Sequence, residues 1–426
     1  MNRRAWSAFG TVSCLLLLCS CTADAGGAAD PTDAATEAAE FSGDLTAWFL
    51  DPGSASARAA LESAVAAFEA EHPAVSVTVE YVPEGEAKKR LTAAIGAPTA
   101  PDLAQTSTAW TAELAELGVL APAALADVEY VDSLVEASAV DGTSFGYPWY
   151  GRTQALIYRS DILSEAGVSA PTTWEDVFTV GDAIAAQVPD IAPMHVAGDH
   201  LDLQAPLIWA AGGDIAIEVA GRWRSGIDSP EGREAFSHFE SVWKKGWSPP
   251  DALTWGPNDV VTAFADGRSA MMIGGLADLR TALAANPRLA GQLGTALLPA
   301  GPAGVRDAVA SGTHLVVLDG STQQDAAVAL ARHLTRPEQI VPFADAVDAL
   351  AGTREGVEAA VVDDEALAAF GEQLVEHSRT YPATAWWRQV VRAGDFEAAT
   401  QQLMQGQMTA HEAAAQVDAA VRRAIG

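Results

Sequence analysis

The sequence predicts an α/β fold in which a parallel sheet carries helices on its faces. Between Leu45 and Leu117, strand-like and helix-like hydrophobic periods alternate. The chain has 426 residues, 49% of them hydrophobic, enough for two or three packed domains. Polar and aromatic residues (Asp51, Thr106, Thr108 and Trp110) fall just where strands end, and such sheets bind ligands at the carboxyl ends of their strands.

The amino terminus reads as a leader. Arg3 and Arg4 precede an apolar run from Ala5 to Leu18, followed by small residues. Sixteen residues separate Arg4 from Cys21, short of the roughly 20 that a membrane span needs. After Cys21 the chain turns polar and rich in Ala, Gly and Asp. The three cysteines are Cys14, Cys19 and Cys21, so the body beyond them has no disulfide and no thiolate metal site.

The elements follow in order. Leu45–Leu50 is a short apolar run, read as a buried strand, and Asp51-Pro52-Gly53-Ser54 is a turn. A helix presents Leu61, Val65 and Phe68 on one face and stops before Pro73. Residues 75–82 alternate through Val75, Val77, Val79 and Tyr81, the period of a strand. A second helix covers about Glu84 to Ile95, and residues 101–107 form a third strand leading to Trp110 and the helix "TAELAELG". Tyr147 to Tyr158 is extended. Tyr150 and Arg152 share one face of it, and Trp149 points the other way into a core. "SDILSEAG" reads as a helix capped by Ser160 and stopped at Gly167, and the next starts at Thr172 or Thr173.

Charge narrows the function. The formal net charge is −31, which argues against nucleic acid and against a polybasic grip on anionic lipid. Most of the acids read as a solvated exterior. The 12 tryptophans equal the phenylalanines in number and double the tyrosines. Such flat rings suit cores and also faces that stack on ligands. No phosphate-binding glycine loop opens a helix.

Leu18-Cys19-Ser20-Cys21 resembles the lipobox of bacterial lipoproteins. That resemblance implies a signal peptide over residues 1–20, lipidation of Cys21 and a flexible tether over 21–43. Six further stretches occur in a telling order: "PDLAQTSTAWTAELAELGVLAP", "GYPWYGRTQALIYRSDILSEAG", "PLIWAAGGDI", "AFADGRSAMMIGG", "LPAGPAG" and "SGTHLVVLDGS". Together they resemble the extracellular solute-binding proteins of bacterial ABC importers, in the sugar-binding cluster that includes maltose and trehalose binders.

The resemblance implies a two-lobed periplasmic-binding-protein-like fold of type II, with a hinge and an interlobe ligand cleft. Lobe 1 would take residues 44–152 and 313–358, and lobe 2 residues 153–312 and 359–426. A mono- or oligosaccharide would be captured without bond breaking, so no catalytic residue, cofactor or metal is needed. The implied partners are the carbohydrate, the permease subunits of an ABC transporter and the membrane, through the lipid anchor. The chain would work as a monomer on the outer face of the cytoplasmic membrane.

The same resemblance implies ligand contacts at Asp51, Thr108, Trp110, Tyr150, Arg152, His200, Asp202, Trp255, Gly275, Gly312, His314 and Trp386. Aromatic faces would pack on the sugar, and polar groups would bond its hydroxyls. Asp51 also fits a turn-forming role, and Asp199, His200 and Asp202 also fit a solvated loop. Their spacing is too loose to argue a metal. Three departures stand out. Arg152 replaces a common acid, Leu276-Ala277 replaces a Pro-Trp pair, and His314 is a substitution on the return crossover. Arg152 keeps an anionic or other non-sugar solute open. A secreted glycoside hydrolase, which needs two acids flanking one bond, is the other reading.

Overall fold

The computed structural model describes residues 41–125, 127–362 and 364–426. The expected signal peptide, Cys21 and all but the last three residues of the tether lie outside the described residues.

Two sheets organise the chain. The first has six strands in the order Leu350–Ala351, Tyr147–Arg152, Ser311–Val317, Leu103–Ser107, Gly43–Leu50, Val75–Val82. Gly43–Leu50 pairs in parallel with both Val75–Val82 and Leu103–Ser107, joined by helices Ala55–Glu71 and Glu84–Ala94. This is the parallel trio that the alternating periods predict. The return strand Ser311–Val317 then runs antiparallel to Leu103–Ser107, so the complete sheet is mixed. Ala55–Glu71 forms because Ser54 caps its first turn and because Ala57, Leu61, Ala64, Val65 and Phe68 line one face. Phe68 and Leu61 are fully buried there, each worth about 1.5–3 kcal/mol of transfer free energy.

The second sheet has four strands in the order Leu293–Ala296, Gln154–Arg159, Ser269–Gly275, Ala192–Met194. Its principal core gathers Ile184, Trp209, Phe239, Trp387, Leu403 and Val417 from six helices, so the carboxyl-terminal residues return to this lobe. Helix Trp174–Gln187 opens on a reciprocal capping box: Thr173 accepts from the Asp176 backbone N–H, and Asp176 accepts in return. Ser160 does not cap the preceding helix. Its hydroxyl donates to the Gln292 carbonyl instead, and Gly167 ends that helix at φ +69°.

The extended run Tyr147–Tyr158 divides at Thr153. Tyr147–Arg152 belongs to the first sheet and Gln154–Arg159 to the second. The return path crosses at Val309–Ser311, and the Thr153 hydroxyl bonds the Val309 carbonyl at 3.2 Å, tying the two crossings together. A third crossing lies between helix Arg354–Val361, packed on Pro337–Ala346, and helix Glu365–Glu376, packed on the second sheet. Strands that change sheets in single residues are the natural hinge of a two-lobed molecule. Among the described residues, no helix is long and apolar enough to cross a membrane.

Candidate ligand-binding cleft

Two cavities open near the crossings. The smaller, about 200 Å³, is lined by Arg152, Thr153, Asp202, Gly275, Asp278, Ser311 and Asp348, among others. The larger, about 510 Å³, lies between helix Thr111–Glu116 of the first lobe and an aromatic wall of the second made by Trp209, Trp223 and Tyr381. Its polar lining includes Glu116, Asp214, Glu218, Arg379 and Thr384. The Tyr381 hydroxyl donates to Asp202 Oδ1 at 2.7 Å, so one hydrogen bond links the walls of the two cavities. Tyr381 stacks on Trp387 at 4.9 Å. Burial, and secondarily the Asp202 carboxylate, push the Tyr381 phenol well above its usual pKa, so it stays a donor.

The expected contacts distribute unevenly. Arg152, Asp202 and Gly275 meet at the smaller cavity. The Arg152 guanidinium lies 5.0 Å over the Tyr150 ring and donates to the Val347 carbonyl at 2.8 Å. The Gly275 N–H is taken by Asp278 at 2.8 Å, which caps helix Leu276–Ala285. Burial raises the Asp278 carboxyl's pKa, against the lowering effect of that bond, and nearby Asp202 adds to the rise.

Thr108 and Gly312 are bonded to each other. The Thr108 N–H donates to the Gly312 carbonyl at 3.0 Å, and the Gly312 N–H donates to Thr108 Oγ1 at 3.2 Å. Trp110 is half-buried, immediately before the helix that walls the larger cavity. Trp386 packs on Trp223 at 5.6 Å, behind the lining of the same cavity.

Other expected contacts lie away from both linings. Asp51 is exposed and paired bidentately with Arg58 at 2.7 Å, which holds its carboxyl below the usual pKa. Tyr150 is buried beside Trp149 and Phe343 in the first core, its hydroxyl accepting from Gln105 at 3.3 Å. Trp149 does not point away from Tyr150 as the strand period predicts: the two rings lie 5.6 Å apart and both reach Phe343 in one core, because the pairing with the return strand shifts register and passes over Trp149. Trp255 is a core ring set edge-on to His195 at 5.5 Å.

His314 has no exposed surface. It bonds the Thr111 hydroxyl and the Leu134 carbonyl, both at 2.8 Å, and burial pushes its pKa down to about 4. His200 is also buried; burial lowers its pKa while Asp202 and Asp199 oppose the shift. Among the described residues, no group of three or more His, Cys, Asp or Glu is placed to hold a metal ion.

The linings add residues that the sequence reading does not nominate. Trp209 is buried in helix Leu201–Ala210, yet it also lines the larger cavity. Tyr381 carries a signal, since it stands shortly before the Trp386-Trp387 pair. Trp223 and Arg379 carry none, because their neighbours in space come from distant parts of the chain.

The sequence profile of the bacterial extracellular solute-binding proteins matches residues 52–341. The chain belongs to this family. Among curated relatives of this solute-binding protein is the diacetylchitobiose-binding protein DasA of Streptomyces coelicolor, 24% identical over 77% of this chain and 76% of the relative. A binding protein of Brucella abortus is 24% identical over 61% of this chain, and the match spans 64% of that relative's length.

Solved structures agree in fold. The GacH receptor of Streptomyces glaucescens, described unliganded and with acarbose, superposes with a TM-score of 0.71 at 26% identity, covering 91% of this chain and 99% of its own. The sugar-binding protein MalE of Xanthomonas citri gives 0.79 at 26%, covering 90% and 97%. The solute-binding protein therefore has the two-lobed, type II periplasmic-binding-protein fold.

Proposed function

We propose that this solute-binding protein captures a carbohydrate between its lobes outside the cytoplasm and delivers it to an ABC importer. The larger cavity carries the reading: its walls come from both lobes, one wall is aromatic, and polar groups converge on it. A volume of about 510 Å³ lies within the usual range of small-molecule sites. Tryptophan and tyrosine faces pack on the C–H face of a pyranose, while carboxylates and hydroxyls bond its ring hydroxyls. Relatives described as binding diacetylchitobiose, or solved with acarbose, support the same class of ligand.

Within this reading the chain changes lobe at Thr153, at Val309–Ser311 and between helices Arg354–Val361 and Glu365–Glu376, so the second and third divisions fall a few residues from the expected 312 and 358. Sheet membership on either side of Thr153 supports the first division. Cys21 carries the lipid, the permease subunits receive the loaded monomer, and no bond in the sugar is broken. An anionic solute is disfavoured. Arg152 already serves the Val347 carbonyl and the Tyr150 ring, and Glu116, Glu136, Asp141, Asp214 and Glu218 face the larger cavity against the single cation Arg379.

Titration of intrinsic tryptophan fluorescence with maltotriose, N,N′-diacetylchitobiose and other neutral saccharides tests the proposal. At least one is expected to bind with a Kd near or below the micromolar level, about 8 kcal/mol. Unchanged fluorescence and unchanged thermal stability across the panel would reject a carbohydrate, and release of shorter sugars on incubation would favour a hydrolase.

A further inference from the structure

Arg388 lies on helix Ala385–Ala393, whose residues Trp387 and Val390 are buried in the second lobe's core. Its side chain crosses to the first lobe. One guanidinium nitrogen donates to the Ala109 carbonyl at 3.2 Å, and the other pairs with the Glu113 carboxylate. Glu113 is on helix Thr111–Glu116, and its carboxylate is also held at 2.7 Å by Lys88 of the same lobe. Ala109 adjoins Trp110. Ala112 and Glu116, on the same helix as Glu113, line the larger cavity, and Thr384 lines it from the other side as the cap of Arg388's own helix. The contact therefore spans the cavity at one end. Only a quarter of the Arg388 side chain and a third of that of Glu113 are exposed.

We propose that Arg388 is a positioning residue: it holds the two walls of the sugar cleft at bonding separation and so favours the closed molecule. The inference rests on the carbohydrate-cleft reading for its purpose, but its geometry does not depend on a ligand. A planar guanidinium suits the task, because two of its nitrogens can engage a carbonyl and a carboxylate at fixed angles. Lys88 neutralises and orients Glu113 from within the first lobe, so the pair is prearranged on one side and only Arg388 must dock. Closing then gains a charge-assisted contact that the open molecule lacks, and any ligand that needs the closed form binds more tightly by the same factor. At the other cavity Arg280, on helix Leu276–Ala285, makes a comparable crossing to Asp348 at 2.6 Å, close to the strand crossings. It offers a comparison nearer the hinge.

The body beyond Cys21 has no cysteine, so spin labels can be placed at will. Ser63→Cys on helix Ala55–Glu71 and Ser237→Cys on helix Pro230–Lys244 put one exposed label on each lobe. Without ligand, Arg388→Gln and Glu113→Gln are expected to shift the label distance distribution toward longer separations, while Arg388→Lys recovers part of the shorter population. Thermal unfolding of the variants reports whether the fold is retained. Titrated with whichever of maltotriose or diacetylchitobiose binds the parent chain, Arg388→Gln should weaken affinity about five-fold, mainly through faster dissociation. A folded Arg388→Gln chain with an unchanged distance distribution would overturn the inference. If the distances shift but neither sugar nor any other saccharide binds the parent chain, the clasp stands and the carbohydrate reading falls.

Discussion

At the scale of single residues, the two candidate cavities meet in the hydrogen bond from Tyr381 to Asp202. Removing the hydroxyl leaves the stacked ring in place and frees the carboxylate. Tyr381→Phe is expected to weaken saccharide binding by about five-fold to ten-fold with little change in melting temperature, checked by isothermal titration. His314 supplies a pH prediction. Its pKa is pushed down to about 4 in the folded chain, against about 6.5 when unfolded. Between those values the unfolded chain binds the extra proton, so stability rises with pH. The contribution is complete above pH 6.5 and is lost as pH falls toward 4, by roughly 3 kcal/mol. Melting temperatures measured across that window should decline on acidification, and the decline should be shallower in His314→Gln. The sequence nominates Tyr150, Trp255 and His314 by position along the chain, and all three are buried in cores. Whether an aromatic ring on a strand faces solvent or a second layer depends on what covers the sheet, and local residue pattern does not carry that.

At the scale of elements, the periods of the sequence are followed closely. The strand expected over Leu45–Leu50 spans Gly43–Leu50, and the helix expected over Glu84 to Ile95 spans Glu84–Ala94. These spans are legible because strand alternation and the helical apolar stripe are local consequences of side-chain direction. The break at Thr153 is not legible: Tyr147 to Tyr158 has one continuous extended pattern, and only pairing partners decide that it serves two sheets. Gly312 is a sharper test of such pairing. A Cβ there would stand 2.2 Å from the Tyr150 carbonyl oxygen, closer than atoms can approach. Gly312→Ala should force Ser311–Val317 away from Tyr147–Arg152 and destabilise the chain by about 1–3 kcal/mol, measured by denaturant midpoint.

At the scale of the whole molecule, the two lobes, the linked cavities and the Arg388 clasp describe a device that closes on its ligand. A saccharide that binds only the closed form should raise the melting temperature with concentration, by about 2.7 kcal/mol of stability at 100 times Kd, measured by calorimetry. Composition and periodicity by themselves determined the α/β class, the early strands and helices, the absence of cysteine from the body, and the acidic surface charge. These are properties of short windows or of sums over the chain. Only the tertiary structure decided that Asp202 meets Tyr381, that Trp223 meets Trp386, and that Arg388 reaches Glu113. Each of those pairs joins residues far apart in the sequence, and such contacts exist only after three crossings have folded the chain into two lobes.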